Sequence, residues 1–253
     1  MNSYYKLRKD LTIEVFGRTL FRIEATKDIE CHGIKKGGLG GYVETRNNLY
    51  GEAWVSGEAQ VYGEAQVSGE AWVYGEAQVY GKARVSGEAW VSGEAQVYGE
   101  AWVSGEAQVS GEAQVYGKAR VSGEAQVYGK ARVYGEARVY GKAQVYGEAW
   151  VYGEAQVSGE AQVYGKARVY GEAWVSGDKI KTPKDIFNIT SNSQYNITIT
   201  PNYIHIACEF HKQSDWFKFT QKRILEMDGK SGLEWWGTWK PILKAICKIK
   251  KEG

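Results

Sequence analysis

The chain has 253 residues, 32 of them glycine and only 3 proline, with 10 tryptophans and 18 tyrosines. That aromatic content excludes a Gly-rich disordered linker, and no apolar run reaches the roughly 18–20 residues that cross a bilayer as a helix. The formal net charge of +2 conceals a division, because residues 51–176 hold 16 Glu against 5 Lys and 5 Arg while both flanks are basic.

The N-terminal segment, residues 1–50, reads as a cap. "TIEVFG" and "TLFRIEA" alternate apolar and polar residues as strands do, and the glycine-rich "KKGGLGGYV" leads from them toward residue 51. The first residues lack the apolar stretch and small-residue cleavage site of a secretory signal. With three cysteines at 31, 208 and 247 in no metal-ligand spacing, a reducing, cytoplasmic setting is expected.

Residues 51–176 repeat one frame of six, Gly-(Glu/Lys)-Ala-x-Val-(Ser/Tyr), twenty-one times, with Gln, Trp or Arg at x. Fixed self-similarity at this period marks a β-helix. In an extended Ala-x-Val-y segment alternate side chains face opposite sides, so Ala and Val point inward while x and y point outward. Gly-Glu turns the corner, glycine because it tolerates positive φ. Three such sides close a triangle of 18 residues, giving about seven coils.

Residues 18 apart then stack, and the three faces differ. One carries Tyr62, Tyr80, Tyr98, Tyr116, Tyr134, Tyr152 and Tyr170. The next carries Ser68, Ser86, Ser104 and Ser122, then Tyr140, Ser158 and Ser176, beside corner charges that alternate from Glu64 through Lys82, Glu100 and Lys118 to Glu136. The third begins with Trp54, Trp72 and Trp90, with Gln at the four later levels. Outward aromatics favour contacts, so the Trp patch and the Tyr ladder are the candidate interaction surface. Stacking between coils is the alternative role for the Tyr ladder.

Residues 177–253 change character. "DIFNIT", "YNITIT" and "YIHIACE" read as three strands. Helices come next, with Ser214 and Thr220 as caps, a stop at Gly229, and a last helix over 233–250 kinked or restarted at Pro241. Trp235 and Trp239 fall at helical spacing and read as core against the small sheet. The "NIT" triplets at Asn188 and Asn196 read as ordinary strand or turn residues without a secretory leader. The basic end, densest at "KAICKIKK", reads as a solvated face, so nucleic acid is not an expected partner. The fold class expected is mainly β, a parallel β-helix between an N-terminal β cap and a small α+β C-terminal domain.

The pattern aliphatic-x-Gly-x-small-x resembles the hexapeptide repeat of left-handed parallel β-helices, and that resemblance implies the hand. The form "GEAQVYG/GKARVYG", preceded by "GGLGGYVE" and followed by "LEWWGTWKPI", resembles a narrower group of uncharacterised repeat proteins encoded by bacteriophages and prophages. The resemblance implies a fold and a viral or prophage origin; it implies no activity.

Chemistry is sparse. Acyltransferases of the hexapeptide-repeat class use a histidine base at a coil edge, whereas the repeat block has no His, Cys, Asp, Asn or Thr. A Glu repeated at solvated corners has nothing to shift its pKa. "GGLGG" lacks the Lys-Ser/Thr of a phosphate loop, and His32 beside Cys31 is too short a pattern for a metal. His205, Cys208 and His211 fall within seven residues and form the remaining polar candidate, although on a strand His205 and Cys208 would face opposite sides. The expectation is a non-enzymatic scaffold without cofactor that binds a protein partner. Self-association as a structural protein is the alternative, and acyl transfer is the enzymatic one.

Overall fold

A computed structural model describes residues 4–189 and 195–252. Its centre is a parallel β-solenoid of two-residue strands, one per hexad, in which each x-Val pair lies beside the x-Val pair 18 residues on, as Gln60–Val61 lies beside Gln78–Val79. Alanine and valine are fully buried at every level from Ala59 to Val175. Each buried valine contributes on the order of 2 kcal/mol. Two or three backbone hydrogen bonds per hexad join successive coils, illustrated by the amides of Trp54, Ser56 and Glu58 donating to the carbonyls of Ala71, Val73 and Gly75 at 2.9–3.0 Å.

The corners explain the invariant glycine. From Gly51 to Gly177 each has φ between +61° and +74°, a region that penalises a side chain. Corners also stack closely: a Cβ on Gly117 would sit 3.0 Å from the Gly135 amide nitrogen.

The solenoid extends beyond the regular repeat at both ends. Before it, strand β3 (Leu39–Val43) pairs parallel with Gln60–Val61, placing Tyr42 beside Gln60 and Val43 beside Val61. After it, Lys179–Ile180 pairs parallel with Gln162–Val163. The result is about eight coils, one more than the hexads alone suggest. Gly40 and Gly41 permit the first coil to close tightly, because a Cβ on either would lie 2.5–2.6 Å from the carbonyl oxygen of Val55 or Ala59. "GGLGG" is therefore a packing device. Buried Asn48 completes this coil, its amide donating to the carbonyls of Gly63 and Ala65.

The N-terminal cap is a hairpin of β1 (Tyr5–Val15) and β2 (Arg18–Ala25), with β2 antiparallel to β3. It thus extends one face of the solenoid into a ten-stranded sheet whose outer edge is β1. That edge carries Lys6, Arg8, Lys9 and Asp10 and breaks register between Arg8 and Thr12, both of which discourage pairing with another chain.

At the other end, β4 (Phe187–Ile189), β5 (Ile197–Ile199), β6 (Tyr203–Ile206) and β7 (Glu209–Lys212) form an antiparallel sheet in that order. Thr190, which ends the first expected strand, lies outside the described residues. Four strands stand where three were expected, since the last expected run folds back at Ala207–Cys208. Helix α1 (Gln213–Trp216) and helix α2 (Gln221–Glu252) cover one side through Ile197, Ile204, Trp216, Trp236 and Leu243. Ser214 lies within α1 and does not cap it, whereas Thr220 Oγ1 accepts from the Arg223 amide at the start of α2. Helix α2 breaks at Asp228–Gly229, with Gly229 at φ +67°, and runs on through Pro241. The stop expected at Gly229 is present as this break, whereas the kink or restart expected at Pro241 is absent, the backbone there staying helical. No helix among the described residues is long and apolar enough to cross a membrane.

The sheet is docked on the last coil. Thr198 Oγ1 accepts from the Trp174 amide, Asn188 donates to the Tyr170 carbonyl, and the Asp178 carboxylate takes the backbone and side-chain N–H groups of Asn202. These bonds stand where a further coil would pair.

Candidate functional site

The tyrosine ladder is continuous. From Tyr62 to Tyr152 successive rings stack 4.9–5.1 Å apart with planes within 3° of parallel, and Tyr170 ends the stack at 5.6 Å and 19°. The strand register sets that spacing, because the rings stand on identical positions of hydrogen-bonded coils. Burial pushes the phenols of Tyr62, Tyr80, Tyr98, Tyr116 and Tyr134 above their ordinary pKa, so these five rungs are uncharged at neutral pH. Its first rung is not available: Tyr62 is buried beneath the cap with Leu20 and Tyr42, and Ile13, Val15 and Tyr80 pack against that cluster. The half-buried rungs from Tyr98 onward, with exposed Tyr170, form the open part.

A second, shorter ladder escapes a reading of the sequence. Tyr128, Tyr146 and Tyr164 stack at 4.9 and 5.1 Å beside the third face. The same 18-residue spacing marks them, but Ser92 and Ser110 at earlier levels of that column obscure the run.

The tryptophan patch requires correction. Trp54 is fully buried in a cluster with Tyr5, Ile23 and Ile29, because the cap folds over it. Trp72 is half-covered, with His32 against its ring at 5.2 Å and its indole N–H donating to Ser56 Oγ at 2.8 Å. Only Trp90 of the three is exposed, at 43%. Trp102 and Trp174 likewise donate to Ser86 and Ser158 in the preceding coil. Where that position is Tyr134, Trp150 meets it edge-on at 6.4 Å. Most outward tryptophans thus serve coil-to-coil packing. Trp102, 40% exposed and flanked by the guanidinium of Arg120, joins Trp90 as an open aromatic, although its neighbours in its column are Arg84 and Arg120 and no stacking pattern singles it out. Where Gln replaces Trp, the amides of Gln126, Gln144 and Gln162 hydrogen-bond in a chain.

From Glu58 onward the corner glutamates are exposed. Lys118–Glu136, Lys130–Glu112 and Lys142–Glu124 pair at 3.2–3.7 Å, contacts worth little in water.

The structure separates the three residues of the C-terminal polar candidate. His205 is buried on the solenoid side of the sheet, its ring 4.2 Å from Trp174. Burial pushes its pKa down to about 4, and its Nε2 has no partner among the described residues. His211 belongs to the other side, bonded to Glu209 at 2.8 Å and set edge-on to Trp216 and Phe219. Cys208 is exposed in the turn between them. Cys31 donates to Glu52, and burial foremost, then that carboxylate, push its thiol up to about 11, which keeps it protonated. No group of three or more His, Cys, Asp or Glu among the described residues is arranged to hold a metal.

No curated protein matches the chain. A family model described as the YdcK Beta solenoid repeat matches residues 77–93, 113–129, 125–141, 131–147 and 161–177. Each match is about one coil long, and together they fall within the solenoid. Over those coils the chain is similar to that family, and its architecture is that of a β-solenoid repeat protein.

Proposed function

We propose that this chain is a non-enzymatic scaffold whose solenoid holds a regular aromatic face for a protein partner. The observation that carries the reading is the open run of Tyr98, Tyr116, Tyr134, Tyr152 and Tyr170, held in register by the backbone and rich in the residue type that interfaces favour. A rigid, flat surface loses little entropy on binding, which is how such a face yields affinity. Acyl transfer is no part of this reading, since the repeat block carries no histidine. The resemblance to phage and prophage repeat proteins supports a setting in the bacterial cytoplasm and a host or defence component as target. Self-association is the second reading. Both solenoid ends are covered, so it would run side by side through the Tyr face.

The test replaces Tyr116, Tyr134 and Tyr152 together by Ser. Serine occupies the equivalent position at most levels of the next face, so the fold persists. Wild-type protein retains a discrete bacterial protein that the triple variant releases, and purified wild type sediments as a monomer. A concentration-dependent dimer or trimer abolished by the variant establishes self-association instead. Identical behaviour of both proteins in both assays removes the Tyr face from any binding role.

A further inference from the structure

The C-terminal domain holds a cavity that the solenoid scaffold does not use. It lies between the β6–β7 turn and the break in α2, and its volume is about 70 Å³, several times what one water requires. Four aromatic rings contribute to its walls. Tyr195 and Trp235 meet edge-on at 4.9 Å with planes 85° apart, and Trp216 and Trp236 meet at 5.3 Å and 38°. Two carboxylates, Glu209 and Asp228, also line it, and no Lys or Arg does. Asp228 accepts from the Tyr195 hydroxyl and is exposed, while Glu209 is anchored by His211.

Irregular backbone meets at the same rim. Ala207, at φ +51°, is one of two non-glycine residues with positive φ among those described. Asp228, beside Gly229, is held outside helical geometry in the middle of α2. Both Ala207 and Asp228 line the cavity, and the left-handed strain at Ala207 is of a kind that gathers at ligand sites. The Trp236 ring already accepts one cation, the Lys240 ammonium 5.5 Å from its centroid, and Lys240 is not among the lining residues.

We infer that this cavity binds an alkylated ammonium group, held by the crossed faces of Tyr195, Trp216, Trp235 and Trp236 and by the carboxylates of Asp228 and Glu209. Aromatic faces attract a cation through their quadrupole, most strongly when water is excluded. A quaternary ammonium fits better than a primary one, because its methyl groups satisfy the apolar walls and it needs no hydrogen-bond acceptors. A neutral ligand of the same shape would gain nothing from the two carboxylates.

Choline is the probe, and 3,3-dimethylbutan-1-ol is its neutral isostere. Saturation transfer to the choline N-methyl protons, titrated against the full chain, reads binding directly. Choline binds saturably, the isostere binds about tenfold more weakly, and Asp228→Asn lowers choline affinity to a similar degree. Glu234→Gln, a change on the same helix away from the cavity, leaves it unaltered. The inference fails if the isostere matches choline, if Glu234→Gln weakens binding as much as Asp228→Asn, or if no choline binds up to about 10 mM. Trp235→Phe, which keeps an apolar wall with a weaker face, gives an intermediate loss; an unchanged affinity there also overturns the cage.

Discussion

A corner glycine in this solenoid meets two constraints at once, and they separate experimentally. Gly117 has φ +72° and stands so close to the next corner that a Cβ would press on Gly135. Gly17, at the β1–β2 turn, has φ +74° with nothing within 4 Å of a Cβ. Gly17→Ala therefore incurs only the left-handed backbone penalty, about 1 kcal/mol. Gly117→Ala adds a collision between backbones and costs about 2–4 kcal/mol. Thermal unfolding followed by far-ultraviolet circular dichroism checks the difference, and equal losses would mean that adjacent corners part easily. The inward Ala and Val positions were legible because a period of two within each side leaves no other assignment. The fate of Trp54 was not, since a residue facing outward from its own coil can be covered by a segment that comes well before it in the chain.

At the level of elements, the junction between the last coil and the C-terminal sheet turns on the His205–Trp174 contact. The pKa of His205 is about 4 when folded, against 6.5 ordinarily. The unfolded chain therefore binds more protons between those values, and stability present above pH 6.5 is lost as pH falls toward 4. At about 1.4 kcal/mol per unit the loss is at most about 3 kcal/mol. Thermal melts of the C-terminal domain between pH 7 and 4 show this decline. His205→Phe, which keeps a ring on Trp174 and cannot titrate, flattens it; an equally steep decline in that variant would place the proton elsewhere. The strands of this domain were partly visible in the alternation of their residues. The hairpin from β6 to β7 was hidden because its turn is Ala-Cys, without the Gly or Asn that announces positive φ, and the cavity beside it depends on contacts between distant segments.

For the whole molecule the decisive quantity is the period of 18. Deleting residues 99–116 removes one coil and brings Tyr98 beneath Tyr134, so all three faces continue unbroken. Deleting residues 99–104 removes one side, preserves the Ala and Val pattern, and shifts later columns round by a third of a turn. The longer deletion retains the tyrosine near-ultraviolet signal in proportion to the rungs left and melts within a few degrees of wild type. The shorter one disrupts the ladder and melts lower, although it removes a third as many residues. Similar losses in both would mean that the coils adapt to any neighbour. The columns of Tyr and Ser made this period readable. The outermost coils were not, because Gly41-Tyr42-Val43 and Lys179-Ile180 hold their places by pairing and no longer spell the repeat.

The hydrogen bonds between coils run along the solenoid axis, which gives the molecule a mechanical character. A pull applied to its two ends loads those bonds one coil after another, as in opening a zipper. Each released coil yields about 18 residues, or roughly 60 Å of extended chain, at nearly constant force because successive coils are nearly identical. Sideways load is shared by every coil at once. The solenoid is therefore stiff as a strut or a surface and compliant as a tether, and a role that strained it lengthwise would unwind it from whichever cap yields first.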